Sequence, residues 1–118
     1  MGQDISKLPP QVQERLLRLQ QLQQTLQSVL TQKQRVEIEL TEVEQALTEL
    51  QRVNNDAAIF KTIGPILVKS EKTTTITELN ERKELLNVRV KVLGKQEERL
   101  RKQLKDVQLK LQQDLSPI

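Results

Sequence analysis

The sequence predicts a mainly α fold: a long antiparallel two-helix coiled-coil hairpin with a β-hairpin at the closed end. Apolar residues recur about every 3.5 residues in both halves of the chain, a spacing typical of coiled-coil helices. Around Gly64-Pro65 the spacing changes to alternation, which is typical of strands. Phe60 is the single aromatic residue of 118, so the side chains that usually fill a rounded core are missing.

The first helix is expected over about residues 9–54. Pro9 and Pro10 are tolerated in the first turn of a helix, where a backbone amide needs no partner. Asn54-Asn55 suits a helix end followed by a turn. We call the stripe of residues spaced alternately three and four apart the seam of a helix. The first seam has ten apolar residues at twelve positions: Val12, Arg15, Leu19, Leu22, Leu26, Val29, Lys33, Val36, Leu40, Val43, Leu47 and Leu50.

The β-hairpin is expected over about residues 57–72. Two runs rich in β-branched residues, 58–63 and 66–71, flank Gly64-Pro65. A two-stranded hairpin is marginal in water, and its outer edges carry backbone groups without partners. We therefore expect neighbouring subunits to cover this hairpin, so that the chain forms an oligomer. Three apolar residues lying off the seam of the second helix offer a further packing surface, unless they are ordinary scattered surface residues: Leu85, Val88 and Val92.

The second helix is expected over about residues 75–115. It opens with Thr75-Ile76-Thr77-Glu78, the spacing of a capping box, in which the Thr hydroxyl and the Glu carboxylate accept hydrogen bonds from free backbone amides. Pro117 closes the pattern. Its seam is apolar at nine of eleven positions: Ile76, Leu79, Lys83, Leu86, Val90, Leu93, Glu97, Leu100, Leu104, Val107 and Leu111.

Two polar interruptions of the seams predict how the helices align. In an antiparallel pair, Lys33 and Glu97 fall at the same level, and Arg15 and Asp114 fall together nearer the open end. Opposite charges at matched levels would fix the register of the two helices. The alternative is that both are chance polar substitutions.

Apolar residues off the seams also collect near the open tip: Leu16 and Leu17 on the first helix and Leu109 and Leu115 on the second. We expect them to hold apolar segments of another protein in the manner of an adaptable groove. The alternative is that they pack on each other or cover a frayed helix end. Gln13, Gln20, Gln23, Gln24, Gln112 and Gln113 would keep this region hydrated without fixed charge.

The composition also excludes several function classes. Without Cys or His the chain has no zinc finger, disulfide, thiol nucleophile, haem ligand or His-based catalyst, and only carboxylate chemistry stays formally possible. No phosphate-binding GxxxxGK[ST] loop is present. We therefore expect no enzyme activity, no catalytic residues, no metal site and no cofactor.

Charge and hydropathy bear on location and partners. The net charge of +3 comes from 19 basic and 16 acidic residues that alternate along the chain, so we expect no nucleic-acid partner. No apolar run approaches the roughly 18 residues of a membrane span, and we expect a cytoplasmic protein with no membrane contact. The myristoylation pattern at Met1-Gly2 is too short to change this expectation.

The chain closely resembles the β-type subunit of archaeal-like prefoldin in three passages: Ile59-Phe60-Lys61-Thr62-Ile63-Gly64-Pro65-Ile66-Leu67-Val68, Leu79-Asn80-Glu81-Arg82-Lys83-Glu84-Leu85-Leu86 and Gln96-Glu97-Glu98. The likeness covers nearly the whole chain. The insert between the helices has room for one hairpin, whereas α-type prefoldin subunits carry two. Pro65 departs from the polar residue expected after this Gly, which bears on the geometry of the turn.

The resemblance implies a hexamer of two α-type and four β-type subunits, so the partners are α-type prefoldin subunits and further copies of this chain. It also implies ATP-independent capture of non-native client proteins at the coiled-coil tips and their transfer to a group II chaperonin. The residues that match the oligomerisation strands are Ile59, Phe60, Ile63, Ile66, Leu67 and Val68. The residues that match the client-binding tip, by position along the helices, are Val12, Leu16, Leu17, Leu19, Leu109, Leu111 and Leu115. The alternative is a structural coiled-coil scaffold or adaptor that binds one folded partner.

Overall fold

The structure, a computed structural model, describes residues 7–116. Its elements in chain order are α1 (Pro10–Arg52), β1 (Ile59–Ile63), β2 (Ile66–Ser70) and α2 (Lys72–Leu115). Two long helices joined by a two-stranded antiparallel hairpin confirm the predicted fold class. The myristoylation pattern at Met1-Gly2 and the helix-closing Pro117 lie outside the described residues.

The chain divides into two compact units. Within the described residues, unit 1 holds the beginning of the chain up to Lys33 and the end of the chain from Val92 onward, and unit 2 is Gln34–Lys91. Each unit therefore contains a part of α1 and a part of α2, and unit 2 also contains the hairpin. A single domain over residues 1–118 stays a prediction.

The core of each unit is the seam between its helix segments. Every buried apolar residue in the described part of the chain occupies a predicted seam position, and the remaining seam positions are all half-buried. Leu86, with an exposed fraction of 0%, is the most deeply buried of them. The buried residues are Val12, Leu22, Val29, Val36, Val43, Leu47, Leu86, Leu93, Leu104 and Leu111.

Both predicted charge pairs of unit 1 are confirmed. Lys33 Nζ lies 3.0 Å from Glu97 Oε1, and Arg15 forms an ion pair with Asp114. The other oxygen of Glu97 accepts a hydrogen bond from Arg101 Nε at 2.9 Å. Lys33 first, and then Arg101, hold the pKa of Glu97 below its usual 4.5, because their hydrogen bonds favour the charged carboxylate. A polar layer in the seam thus selects one alignment of the two helix segments.

A separate contact links the helix segments of unit 2. The Nε and Nη2 atoms of Arg82 donate to Glu39 Oε1, at 2.9 and 2.5 Å. Both side chains lie about two-fifths exposed, at 41% and 40%, so water screens the pair. Its contribution is to the alignment of the helices more than to the stability of the fold.

The ends of α1 follow the local chemistry of the sequence. The helix begins at Pro10, and the amide of Gln13 donates to the carbonyl of Pro9 at 3.1 Å, which completes the first turn. It ends at Arg52, two residues before the expected end at Asn54. A turn follows, in which the amide of Ala57 donates to the carbonyl of Asn54 at 3.0 Å.

The predicted start of the second helix is wrong by three residues. α2 begins at Lys72, and the amide of Thr75 donates to the carbonyl of Glu71 at 2.9 Å, so Glu71 stands at the cap position. The capping box is absent, because the Thr75 hydroxyl bonds the Ser70 hydroxyl at 2.7 Å and Glu78 pairs with Lys61.

The early start of α2 has a tertiary cause. Three consecutive threonines, residues 73–75, have a weak intrinsic helix propensity, which makes a later start look more favourable from sequence alone. In the structure Lys72 Nζ donates to the carbonyl of Val53 at 2.7 Å and lies 3.3 Å from Asn55 Oδ1. The Lys72 ammonium therefore ties the first turn of α2 to the chain that follows α1.

The two strands of the hairpin pair antiparallel around the expected Gly64-Pro65 loop. Ile63 pairs with Ile66 across the loop, and the ladder continues to Ile59 and Ser70. Gly64 has a φ of +57°, a conformation that side-chain-bearing residues rarely adopt, and the ring of Pro65 fixes its own φ at a negative value. Glycine at the first loop position is what a type II′ turn requires, and that turn matches the twist of the flanking strands.

Replacing Leu86 with alanine tests the seam as the source of stability. We expect Leu86→Ala to lower the free energy of unfolding by about 2–5 kcal/mol, because it leaves a cavity at a fully buried position. The matched control is Leu85→Ala, at a side chain that is 51% exposed, where the loss should be about 1 kcal/mol or less. Urea unfolding followed by circular dichroism measures both. Equal losses at the two positions would contradict the seam as the core.

The Glu97 layer predicts a pH dependence of stability. The folded-state pKa of Glu97 is lowered, so the unfolded chain binds the proton more readily. Its stabilising contribution is therefore present above the ordinary value of 4.5 and is lost as the pH falls from there through the folded-state pKa. We expect Glu97→Gln to flatten the fall in unfolding midpoint below that pH. Lys33→Gln with Arg101→Gln should flatten it similarly, and an unchanged slope in both variants would show that the pair does not cause the shift.

Candidate functional site

The residues expected to bind other polypeptides form two surfaces. The hairpin surface lies in unit 2 and consists of Ile59, Phe60, Ile63, Ile66, Leu67 and Val68. The tip surface lies in unit 1, at the beginning of α1 and the end of α2, and consists of Val12, Leu16, Leu17, Leu19, Leu109, Leu111 and Leu115.

The hairpin surface is uncovered in the described chain. Leu67 is 69% exposed and Phe60 is 58% exposed, although both are large apolar side chains. Ile63 and Ile66, beside the loop, are also exposed, Val68 is 37% exposed, and only Ile59 of the six is half-buried. Clusters of exposed apolar side chains of this kind on a small unit are typical of a protein interaction site.

The ladder divides the hairpin into two faces. Ile59, Lys61 and Ser70 share one face with the loop-side isoleucines, while Phe60 and Leu67 share the other. The base of the first face is held on α2, where Lys61 Nζ lies 3.4 Å from Glu78 Oε2 and the Ser70 hydroxyl bonds Thr75. These contacts orient the hairpin and leave its loop end and its second face open.

The outer edges of the hairpin have no strand beside them in the described residues. The sheet has two strands, so each strand uses one edge for the ladder and leaves the other edge unpaired. Such edges bind further strands readily, because every second backbone amide and carbonyl points outward without a partner. The hairpin can therefore join a larger sheet through backbone hydrogen bonds as well as through its apolar side chains.

Further apolar side chains are exposed on the helices. Leu85 and Val88 in unit 2 are 51% and 57% exposed, as their off-seam positions predict, and Val92 in unit 1 is 49% exposed. Ile38 on α1 is 53% exposed and was missed by the sequence analysis. Its position two residues after the seam residue Val36 is the signal that could have identified it.

The residues of the tip surface fall into three groups. Val12 and Leu111 are buried in the seam, at 5% and 6% exposure, so they support the helix pair instead of presenting a surface. Leu16 and Leu19 are half-buried. The exposed members are Leu17, Leu109 and Leu115, at 60%, 49% and 58%.

An ion pair between Arg15 and Asp114 joins the two helix ends that carry the tip surface. The Arg15 side chain, which also reaches the carbonyl of Lys110 at 3.5 Å, pairs with the Asp114 carboxylate. Gln13 on α1 donates through Nε2 to the carbonyl of Leu8 at 2.7 Å. The Arg15 contacts hold the two helix ends beside each other, and the Gln13 contact holds the residue before Pro9 on the first turn of α1. The three exposed leucines lie off the seam.

No metal-binding arrangement is present between residues 7 and 116. Within that range there is no group of three or more side chains that could hold a metal ion. In the same range, neither helix has a stretch apolar enough to cross a bilayer. No buried side-chain nitrogen or oxygen in the described residues lacks a hydrogen-bond partner, so no orphaned polar group marks a ligand site there.

Known proteins are similar to this chain in sequence and in fold over almost its full length. The family model described as prefoldin subunit matches residues 13–117. The prefoldin subunit beta of Archaeoglobus fulgidus is 50% identical over 113 residues, which are 96% of this chain and 97% of that protein. The prefoldin subunit beta of Saccharolobus islandicus is 49% identical over 110 residues, 93% of this chain and 87% of that protein.

Solved structures agree with the sequence matches. The crystal structure of the prefoldin beta subunit from Thermococcus strain KS-1 has a TM-score of 0.84 at 42% identity and covers 99% of this chain and 100% of that one. The beta2 subunit from the same strain, at 22% identity and a TM-score of 0.70, covers 77% of this chain and 97% of that one, and shares the fold. By the family match, the close relatives and the shared fold, this chain belongs to the prefoldin family as a β-type subunit.

Proposed function

We propose that this chain works in a hexameric, ATP-independent holdase that captures non-native proteins at coiled-coil tips and delivers them to a group II chaperonin. Its family membership already makes it a chaperone subunit. The observation that supports the finer proposal most directly is the exposure of large apolar side chains both on the hairpin surface and at Leu17, Leu109 and Leu115 of the tip surface.

Assembly is proposed to use the hairpin surface. The unpaired strand edges would accept neighbouring hairpins, and the exposed side chains of Phe60 and Leu67 would form a shared core with them. The partners would be α-type prefoldin subunits and further copies of this chain, two and four per hexamer. Leu85 and Val88, in the same unit as the hairpin, would add apolar contact area.

Client capture is proposed to use the exposed leucines of the tip surface. Leu17, Leu109 and Leu115 are exposed single side chains on the helix surface, so each contact with an unfolded segment would be weak and unspecific in sequence. Several such tips in one assembly would hold a client together through their high effective concentration. Because single contacts can open independently, the client could pass to another chaperone without a nucleotide-driven step.

Delivery would end at a group II chaperonin, and the work would take place in the cytoplasm. A chain without a phosphate-binding loop has no evident means of coupling release to nucleotide hydrolysis. Release would then depend on competition between the weak tip contacts and the stronger binding surface of the receiving chaperonin.

The tip surface can be tested by replacing its exposed leucines. We expect Leu17→Ser, Leu109→Ser and Leu115→Ser together to weaken binding of non-native proteins about tenfold, because apolar contact area is lost. The measurement is suppression of aggregation for several unrelated denatured proteins. Ile38→Ser, at a comparably exposed side chain in unit 2, is the control and should leave suppression unchanged. Full suppression by the triple variant would contradict the tip assignment and favour a scaffold that binds one folded partner.

The hairpin surface can be tested by adding charge to it. Leu67→Glu should abolish assembly with an α-type prefoldin subunit, because the carboxylate would have to be buried without a partner. Native mass spectrometry reads the assembly mass, and circular dichroism checks that the helices persist. Ile38→Glu carries the same charge change and should still assemble. An intact hexamer with Leu67→Glu would remove the hairpin from the interface.

A further inference from the structure

Charge is divided unevenly between the two units. The described residues of unit 1 carry ten basic and five acidic side chains, a net charge of +5. Unit 2 carries nine basic and ten acidic side chains, a net charge of −1. The positive charge of the chain is therefore concentrated in the unit that bears the tip surface.

In the described part of the chain, half of the basic side chains of unit 1 have no acidic partner. Four of the five acidic side chains of unit 1 are already engaged by Lys or Arg within the unit, and Glu14 is the remaining one. The basic side chains that form no ion pair within the described residues are Lys7, Arg18, Lys95, Arg99 and Lys105. These cations are free to pair with an incoming carboxylate.

Two of the free cations stand beside the exposed leucines. Lys105 lies four residues before Leu109 on α2, so both side chains share one helix face. Arg18 follows Leu17 on α1 and lines a groove with the cations Arg15 and Lys110, the carboxylates Glu14 and Asp106, and Val107 and Gln103. Asp106 is already paired with Lys110, and Arg15 with Asp114. Both Arg18 and Lys105 are exposed. Two of the three exposed leucines, Leu17 and Leu109, therefore have an exposed unpaired cation within one turn of the same helix.

We infer that the tip surface selects non-native segments in which acidic residues flank apolar ones, and that Arg18 and Lys105 supply this selectivity. The inference rests on client capture at the tips, which it narrows to a class of client. Leucine contacts would be common to all clients, while carboxylates would gain an ion pair and basic segments would meet repulsion. Because exposed pairs are individually weak and screened by salt, the effect is on choice among clients more than on overall affinity.

The test uses three synthetic peptides with the same spacing of leucines. Their polar positions are all Glu, all Gln or all Lys, and binding to the full-length chain is followed by fluorescence anisotropy, alone and after mixing with an α-type prefoldin subunit. We expect the Glu peptide to bind about threefold or more tighter than the Gln peptide, and the Lys peptide to bind weakest. At about 0.5 M salt the three affinities should converge, because the Debye length shortens to a few ångströms.

Two double variants locate the charge that matters. Arg18→Gln with Lys105→Gln should bring the preference for the Glu peptide over the Gln peptide below about twofold. Arg89→Gln with Lys91→Gln removes the same charge from exposed, unpaired positions of unit 2 and should leave the preference as it is. Equal binding of the Glu, Gln and Lys peptides, or equal effects of the two double variants, would overturn the inference.

The Gln peptide separates this inference from the proposed function. If it binds, and the leucine variants of the tip weaken it, client capture at the tips stands whether or not charge matters. If those variants leave binding of the Gln peptide unchanged, the tip assignment itself fails. Circular dichroism of each variant shows that the helices are intact before binding is compared.

Discussion

A seam one stripe wide is the constraint on which the rest of this structure depends. Each helix segment can bury only the residues that face its partner, and the buried apolar residues of the described chain all lie on that stripe. The apolar residues buried in it are all Val or Leu, with no aromatic side chain among them. A seam of this kind stabilises the helices through many equivalent layers, and equivalent layers alone would allow the helices to slide. The Lys33 and Glu97 layer breaks the equivalence, because only one alignment brings these charges together.

The same constraint explains why so much apolar surface is left open. A seam has no second layer that could fold over the hairpin or over the outer helix faces. Phe60 and Leu67 are therefore exposed although their strands are well formed, and Leu17 and Leu109 are exposed although their helices are regular. In the proposed function these are the two surfaces that other polypeptides occupy, one permanently in the assembly and one transiently during client capture.

Periodicity and turn chemistry could be predicted because they depend on neighbours a few residues away. The seam positions, the Gly64 turn and the Lys33 pairing all follow from spacing along the chain. The start of α2 could not be predicted in this way. Lys72 contacts the carbonyl of Val53, which is distant in sequence, and this contact outweighs the weak helix propensity of the three threonines that follow. The sequence also could not separate the buried residues of the tip surface from the exposed ones. Val12 fits the seam and the expected tip equally well in sequence, and only the packing shows that it is buried.

In the proposed function, the buried residues of the tip surface stabilise the helix ends, and the exposed residues contact the client. Because Val12 and Leu111 are held in the seam, and Arg15 is paired with Asp114, the helix ends stay together when nothing is bound. The exposed leucines then do not have to be released from the protein's own core before they meet a client, so binding carries little cost of rearrangement. A surface that is open in advance and shallow binds quickly and releases quickly, which suits a chaperone that must pass its cargo on. The unpaired cations beside those leucines would make binding selective among clients, and the surface would stay shallow.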